Sequence, residues 1–183
     1  MAQKMICENL WPSLLTQTLR RQQANHRGKP VRLVVVGVGN EMHGDDAAGI
    51  IAARQLKALL PTAVSSQVLV LEGANAPENH TGQIRRFGPD VVLLVDMAVM
   101  GKEPGAICWL AWEETSGLSA SSHTMPLYML GRYLTSELGC DVALIGIEPQ
   151  NTGLDEPLTA VAQQAVKEVV QGIADCIYSL VTV

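Results

Sequence analysis

Several acidic residues and one histidine stand at places where a folded chain does chemistry. Asp45 and Asp46 open a helical pattern just after a glycine-containing loop, Gly37 to Gly44. Glu72, Asp96 and Glu148 each end an apolar, β-branched run, and His123 stands three residues before Pro126, where another helical pattern begins. In open sheets with parallel strands, ligands bind beyond the carboxyl ends of the strands. A helix N-terminus favours the ionised form of a carboxylate. An ionised carboxylate facing that crevice is a good hard ligand for a cation. Asp96 is the natural second ligand, because an acid ending an all-apolar strand is costly without a partner or a purpose. His123 is the natural third. Two carboxylate oxygens and an imidazole suit zinc, nickel or iron. Asp45 reads as a plain helix cap, Asp46 as either a cap or a ligand, and His43 as a further candidate in the loop.

Two rival chemistries fit less well. The glycine loop carries Gly37, Gly39 and Gly44, but Met42 stands where a dinucleotide fingerprint needs its third glycine, and no Gly-Lys-Ser/Thr follows. Asp45 and Asp46 also occupy the place a phosphate would take, and would repel it. For nucleophilic catalysis, Ser121-Ser122-His123 puts hydroxyls beside an imidazole, but sequence neighbours rarely form such a dyad. There is no Gly-x-Ser-x-Gly elbow. The four cysteines, Cys7, Cys108, Cys140 and Cys176, contain no CxxC pair. They are expected to be reduced thiols, mostly buried, with Cys140 exposed after a Leu-Gly turn.

The elements that position these groups follow from hydrophobic period. Val31 to Val36 is nearly all apolar and β-branched, as in a strand buried on both faces. Further strands are expected at 68–71, 91–95, 106–112 and 142–147. Helices are expected from Asp45 or Asp46 to Leu60, over 126–138 and from Pro157 to about Val181, with a short one near 80–86. Strands alternating with helices predict an α/β fold, a largely parallel sheet with helices on both faces. The ten-residue link after Asp96 suits a turn rather than a crossover, so the fourth strand is expected antiparallel. Residues 1–30 read as an N-terminal helical extension and linker, with Leu10, Leu14, Leu15 and Leu19 at helical spacing, and residues 31–183 as the α/β body.

Composition agrees. In 183 residues, 48% are apolar and 17% charged, which excludes disorder and coiled coil. A formal charge of −5 and 4% aromatic residues argue against nucleic acid or an anionic membrane as partner. No signal-peptide pattern opens the chain, and no run approaches the roughly 18 apolar residues of a membrane span. A cytoplasmic location is expected.

Five segments, in this order and spacing, resemble the hydrogenase maturation endopeptidases, closest to the branch serving the formate-hydrogenlyase type of nickel–iron hydrogenase. They are Val36-Gly37-Val38-Gly39-Asn40 with Gly44-Asp45-Asp46; Glu72 to Asn79; Leu93-Leu94-Val95-Asp96 with Met100-Gly101 and Pro104-Gly105; His123 to Leu127; and Ile145 to Pro149. The resemblance covers roughly residues 31–180. It implies a three-layer fold with a twisted five-stranded, mostly parallel sheet. It implies an aspartyl-type endopeptidase that removes the C-terminal extension of a hydrogenase large-subunit precursor after nickel insertion. The family's metal-contacting residues map onto Asp46, Asp96 and His123, where nickel is supplied by the precursor and the free enzyme need carry none. The partner implied is that nickel-loaded precursor, and the enzyme is expected as a monomer. A non-catalytic nickel-handling accessory protein is the alternative. Two departures stand out. Ala47 replaces a frequent Gly, and Glu148 replaces a frequent Gln, which adds negative charge near the cleft.

Overall fold

A computed structural model describes residues 6–7, 10–25, 29–115 and 125–181. The apolar runs form β2 (Leu33–Val38), β3 (Val68–Ala74), β4 (Val91–Met97), β5 (Ile107–Ala111) and β6 (Asp141–Ile147), and a two-residue β1 (Ile6–Cys7) precedes them. The sheet runs in the order β1-β5-β6-β4-β2-β3. Strands β6, β4, β2 and β3 are parallel, and β5 is antiparallel to β6, as the short link after β4 requires. The expected five strands are therefore present, and β1 adds a sixth at the β5 edge, antiparallel to it.

Alternation along β2 explains both cores. Leu33 and Val35 face one layer, and Val34, Val36 and Val38 face the other. The first layer is built by α1 (Trp11–Asn25), α2 (Ala48–Leu59) and α5 (Ala160–Val181). The second holds α3 (Thr81–Phe87) and α4 (Leu127–Leu138). The helical repeat at the N-terminus packs fully into the first layer. Trp11, Leu15 and Leu19 are 3%, 0% and 0% exposed. Trp11 lies against Gly172 of α5, where a Cβ would come within 2.4 Å of the indole. No helix among the described residues is long and apolar enough to cross a membrane.

Two expectations about cysteines change. Cys7 and Cys108 are joined in a disulfide, because β1 pairs with β5 in a register that puts these two residues directly opposite, with Cα atoms 4.1 Å apart. Four free thiols therefore become two. Cys140 is buried rather than exposed, its Sγ directed at the Leu134 carbonyl inside the α4 layer.

Helix boundaries also shift. Asp45 and Asp46 lie in a single 3-10 turn, Gly44–Ala47, and the α-helix starts only at Ala48. At the other end of the chain α5 begins at Ala160 rather than Pro157, since Thr159 caps it. The Thr159 hydroxyl accepts the Ala162 N–H at 3.3 Å.

Candidate active site

Strand β2 has β3 on one side and β4 on the other, so the chain reverses its direction of build-up between β2 and β4. A crevice opens at the carboxyl ends of such a pair. The loop after β2 carries Asp46 into it, and Asp96 is the next-to-last residue of β4. Glycines set the approach. Gly49, in the first turn of α2, has no room for a Cβ, which would come within 2.2 Å of the Val95 carbonyl and 2.3 Å of the Val38 carbonyl. Helix α2 therefore starts directly on the ends of β2 and β4, beside Asp96. Gly39, at φ 133°, lets the backbone turn under Asp46, whose carbonyl accepts the Asn40 N–H at 3.1 Å. Asp46 and Asp96 are 5% and 1% exposed. The structure brings these two carboxylates to one crevice. His123, the third residue of the expected trio, and the Ser121-Ser122 pair lie outside the described residues. Among the described residues no three His, Cys, Asp or Glu side chains cluster as a metal site, so His43 does not complete a triad with the two aspartates.

The neighbouring acids have other work. Asp45 does not cap its own helix, because no side chain caps the turn or α2. Its fully buried carboxylate accepts four hydrogen bonds from the far loop: Gln150 N–H (2.8 Å), Asn151 N–H (3.0 Å), Thr159 N–H (2.8 Å) and Thr159 hydroxyl (3.0 Å). Backbone bonds from Gly44 to Glu156 and from Asp45 to Asn151 lace the same two loops together. Glu148 is buried as well. Its Oε2 accepts the N–H groups of Met100 (2.7 Å) and Lys102 (3.1 Å), fixing the loop that follows Asp96. Its charge is spent on backbone donors rather than displayed in the cleft. Glu72 pairs on the surface with Arg54, which also binds Glu41. The Arg54 hydrogen bond holds the Glu41 carboxyl below its ordinary value, and the same contacts raise Arg54.

A thiol nucleophile does not fit. Burial pushes the Cys140 thiol up to about 11 and raises Cys176 too, so both stay protonated near neutrality.

A family model for hydrogenase maturation protease matches residues 50–176. The chain belongs to the hydrogenase maturation protease family. It is 34% identical to the hydrogenase 3 maturation protease of Escherichia coli strain K12 over 139 residues, 75% of this chain and 86% of the relative. It is 28% identical over 123 residues to a putative hydrogenase maturation protease of Methanocaldococcus jannaschii, 65% of this chain and 73% of the relative. Its fold is similar to the crystal structure of a NiFe hydrogenase maturation protease HycI from Thermococcus kodakarensis KOD1. That match has a TM-score of 0.73 and 34% identity, and it covers 81% of this chain and 93% of the other. The chain is therefore a peptidase of the hydrogenase maturation class. This removes the accessory-protein alternative.

Of the residues that matter to this crevice, sequence reasoning missed the roles of Asp45 and Glu148. Both follow the same pattern as the ligand candidates, an acid at a strand or helix end. Only the backbone donors that fold back onto them separate the cases.

Proposed function

We propose that this peptidase cuts the C-terminal extension from a nickel–iron hydrogenase large-subunit precursor once nickel is in place, and that Asp46, Asp96 and His123 read that nickel. The observation that carries the reading is the meeting of two buried carboxylates, Asp46 and Asp96, at the β2/β4 crevice. Asp46 follows β2 and Asp96 is next to last in β4, at the carboxyl ends of neighbouring parallel strands, where open α/β sheets bind their ligands. The names of the relatives supply the substrate class.

In this reading the nickel belongs to the substrate, and the enzyme contributes two hard oxygen ligands and an imidazole. Bound there, the metal orders the precursor's chain against the crevice. One aspartate then takes a proton from a water as its oxygen attacks the scissile carbonyl carbon, and the C–N bond breaks as the proton passes to the leaving amine. Glu148 supports this by anchoring the loop behind Asp96 through Met100 and Lys102.

The test is cleavage of a purified precursor with and without nickel by the wild type and by Asp46→Asn, Asp96→Asn and His123→Ala. The expected result is trimming of the loaded precursor by the wild type alone, with all three variants folded but inactive. Trimming of nickel-free precursor at the same rate, or by both Asn variants, overturns the reading.

A further inference from the structure

Arg54, midway along α2, holds two carboxylates at the carboxyl end of the sheet. Its guanidinium grips Glu41 as a fork, Nη1 donating to Oε1 at 2.8 Å and Nη2 to Oε2 at 3.0 Å. Nε and Nη2 also donate to Oε2 of Glu72, at 3.0 and 2.8 Å. The two acids stand on different parts of the fold. Glu72 belongs to β3 and pairs with Gly37 of β2, in a row that continues to Val95, the neighbour of Asp96. Glu41 lies in the loop that leads from β2 to Asp46. Helix α2 is itself seated on the ends of β2 and β4 at Gly49. Arg54 therefore ties a loop to a helix and a strand that are both fixed in the sheet.

Asn40 passes that grip on to Asp46. Its N–H donates to the Asp46 carbonyl at 3.1 Å, its carbonyl accepts the His43 N–H at 3.1 Å, and its Oδ1 accepts the Met42 N–H at 3.0 Å. The Asp46 N–H donates in turn to the His43 carbonyl at 3.0 Å. Four bonds thus close residues 40–46 on themselves, so a shift at Glu41 reaches Asp46. The bonds of Gly44 and Asp45 to the segment after β6 hold this piece from the β6 side of β2, and Arg54 holds it from the β3 side. Stability alone gives the cluster little purpose. The side chains of Arg54, Glu41 and Glu72 are 50%, 51% and 38% exposed, and ion pairs so open add little to it. What a forked guanidinium supplies is geometry.

We infer that Arg54 is a positioning residue for the cleavage reaction, which through Glu41 and Asn40 sets where Asp46 stands relative to Asp96. The inference rests on the protease reading above. A field effect of Arg54 on the site makes a different prediction. Loss of Arg54 adds net negative charge near Asp46, whereas loss of the Glu41 charge removes it, so a field effect gives the two changes opposite signs. A clamp gives them the same sign, because either change opens it.

The experiment measures kcat and KM for a nickel-loaded precursor cut by the wild type, Arg54→Met, Glu41→Gln and the double variant. Each single change should lower kcat about tenfold and leave KM within about twofold, since a misplacement of about 1 Å costs up to about 100-fold and the ties from the β6 side remain. The double variant should lose no more than either single one, as for two halves of one contact. Tm should stay within about 4 °C of the wild type, as for an exposed ion pair. In the free proteins, amide hydrogen exchange over residues 40–46 should quicken several-fold in both single variants, with β2 and β4 unchanged. Four results overturn the inference: unchanged kcat in Arg54→Met, opposite effects of the two single changes, losses that add in the double variant, or a rise in KM alone, which makes Arg54 a precursor contact. Failure of the wild type to cut overturns the protease reading instead. The exchange rates need no precursor and still decide then whether Arg54 holds the loop.

Discussion

Asp45 and Asp46 are neighbours in one turn, both acidic and both buried; Asp45 holds the far loop, and in the function proposed above Asp46 serves the chemistry. Replacing each in turn is the sharpest check on that division. Asp45→Ala removes the acceptor of four hydrogen bonds, three of them from backbone N–H groups of residues 150, 151 and 159. Bonds to a charged acceptor are each worth about 1.5–3 kcal/mol net, and a buried donor left empty costs about 1–3 kcal/mol. Some donors will find water when the loop relaxes, so the sum is not simply additive. A loss of about 3–5 kcal/mol is expected, the range for breaking a buried charged network. For a chain of this size that is a fall in Tm of roughly 6–20 °C. Asp46→Asn keeps shape and volume and is expected to cost about 1 kcal/mol or less, within the ordinary range for a single substitution, while abolishing cleavage. Urea denaturation of the three proteins, read beside cleavage of a nickel-loaded precursor, separates the effects. A loss below about 1 kcal/mol for Asp45→Ala refutes the assignment, since four bonds of this geometry cannot be that cheap to lose. A stability loss for Asp46→Asn equal to that of Asp45→Ala refutes it equally.

Other expectations follow from packing and protonation. Trp11→Ala should destabilise by about 3–5 kcal/mol in chemical denaturation, because the indole is 3% exposed and fills the space Gly172 leaves; a loss under about 1 kcal/mol would mean that α1 is not part of the core. Gly49→Ala should cost about 1–3 kcal/mol or more and reduce cleavage, since the new Cβ meets two backbone carbonyls, at Val38 and Val95, that cannot rotate away. Normal stability and rate in that variant would contradict the close seating of α2. Stability should also fall as pH rises from about 9 to 11. The Cys140 thiol is pushed up to about 11, so the unfolded chain sheds its proton first, and this thiol contributes a loss of about 1.4 kcal/mol per pH unit. Guanidinium midpoints at pH 8 and 10 read the slope, and Cys140→Ala should flatten it; equal slopes for wild type and variant would count against the buried thiol.

The parallel body was legible because its strands are buried on both faces. An alternation of apolar and polar residues is absent from such strands: β2 and β4 are buried at every position, and only a strand between two helix layers carries an unbroken apolar run. The antiparallel turn of β5 was legible from the length of its link. The short β1 was not. Two residues carry no period, and their strand character comes from pairing with β5, a contact about a hundred residues away in the chain. The disulfide was hidden for the same reason, since a pair of cysteines 101 positions apart is joined by register and not by local spacing. Helix α1 was legible in its apolar spacing, but its depth of burial depended on Gly172, a residue that looks ordinary within a long helical repeat.

The candidate site was legible as a class of residue and not as a set of roles. An acid at the end of a buried strand signals that something must compensate its charge, and the signal is the same at Asp96 and Glu148. What differs is which donors the rest of the chain delivers. Glu148 meets two N–H groups because the loop from Met100 to Lys102 curls back over it. Asp45 meets four donors because the segment between β6 and α5 closes over the first turn after β2. These are long-range contacts, separated by 46 to 114 residues, and no local pattern encodes them. They also explain why the acids cluster. Asp45 and Glu148 tie down the two loops that bound the crevice, one on the Asp46 side and one on the Asp96 side. The structural pair thereby holds the candidate catalytic pair in place. A substitution at either structural acid should therefore reduce cleavage through the geometry of Asp46 and Asp96 as well as through stability.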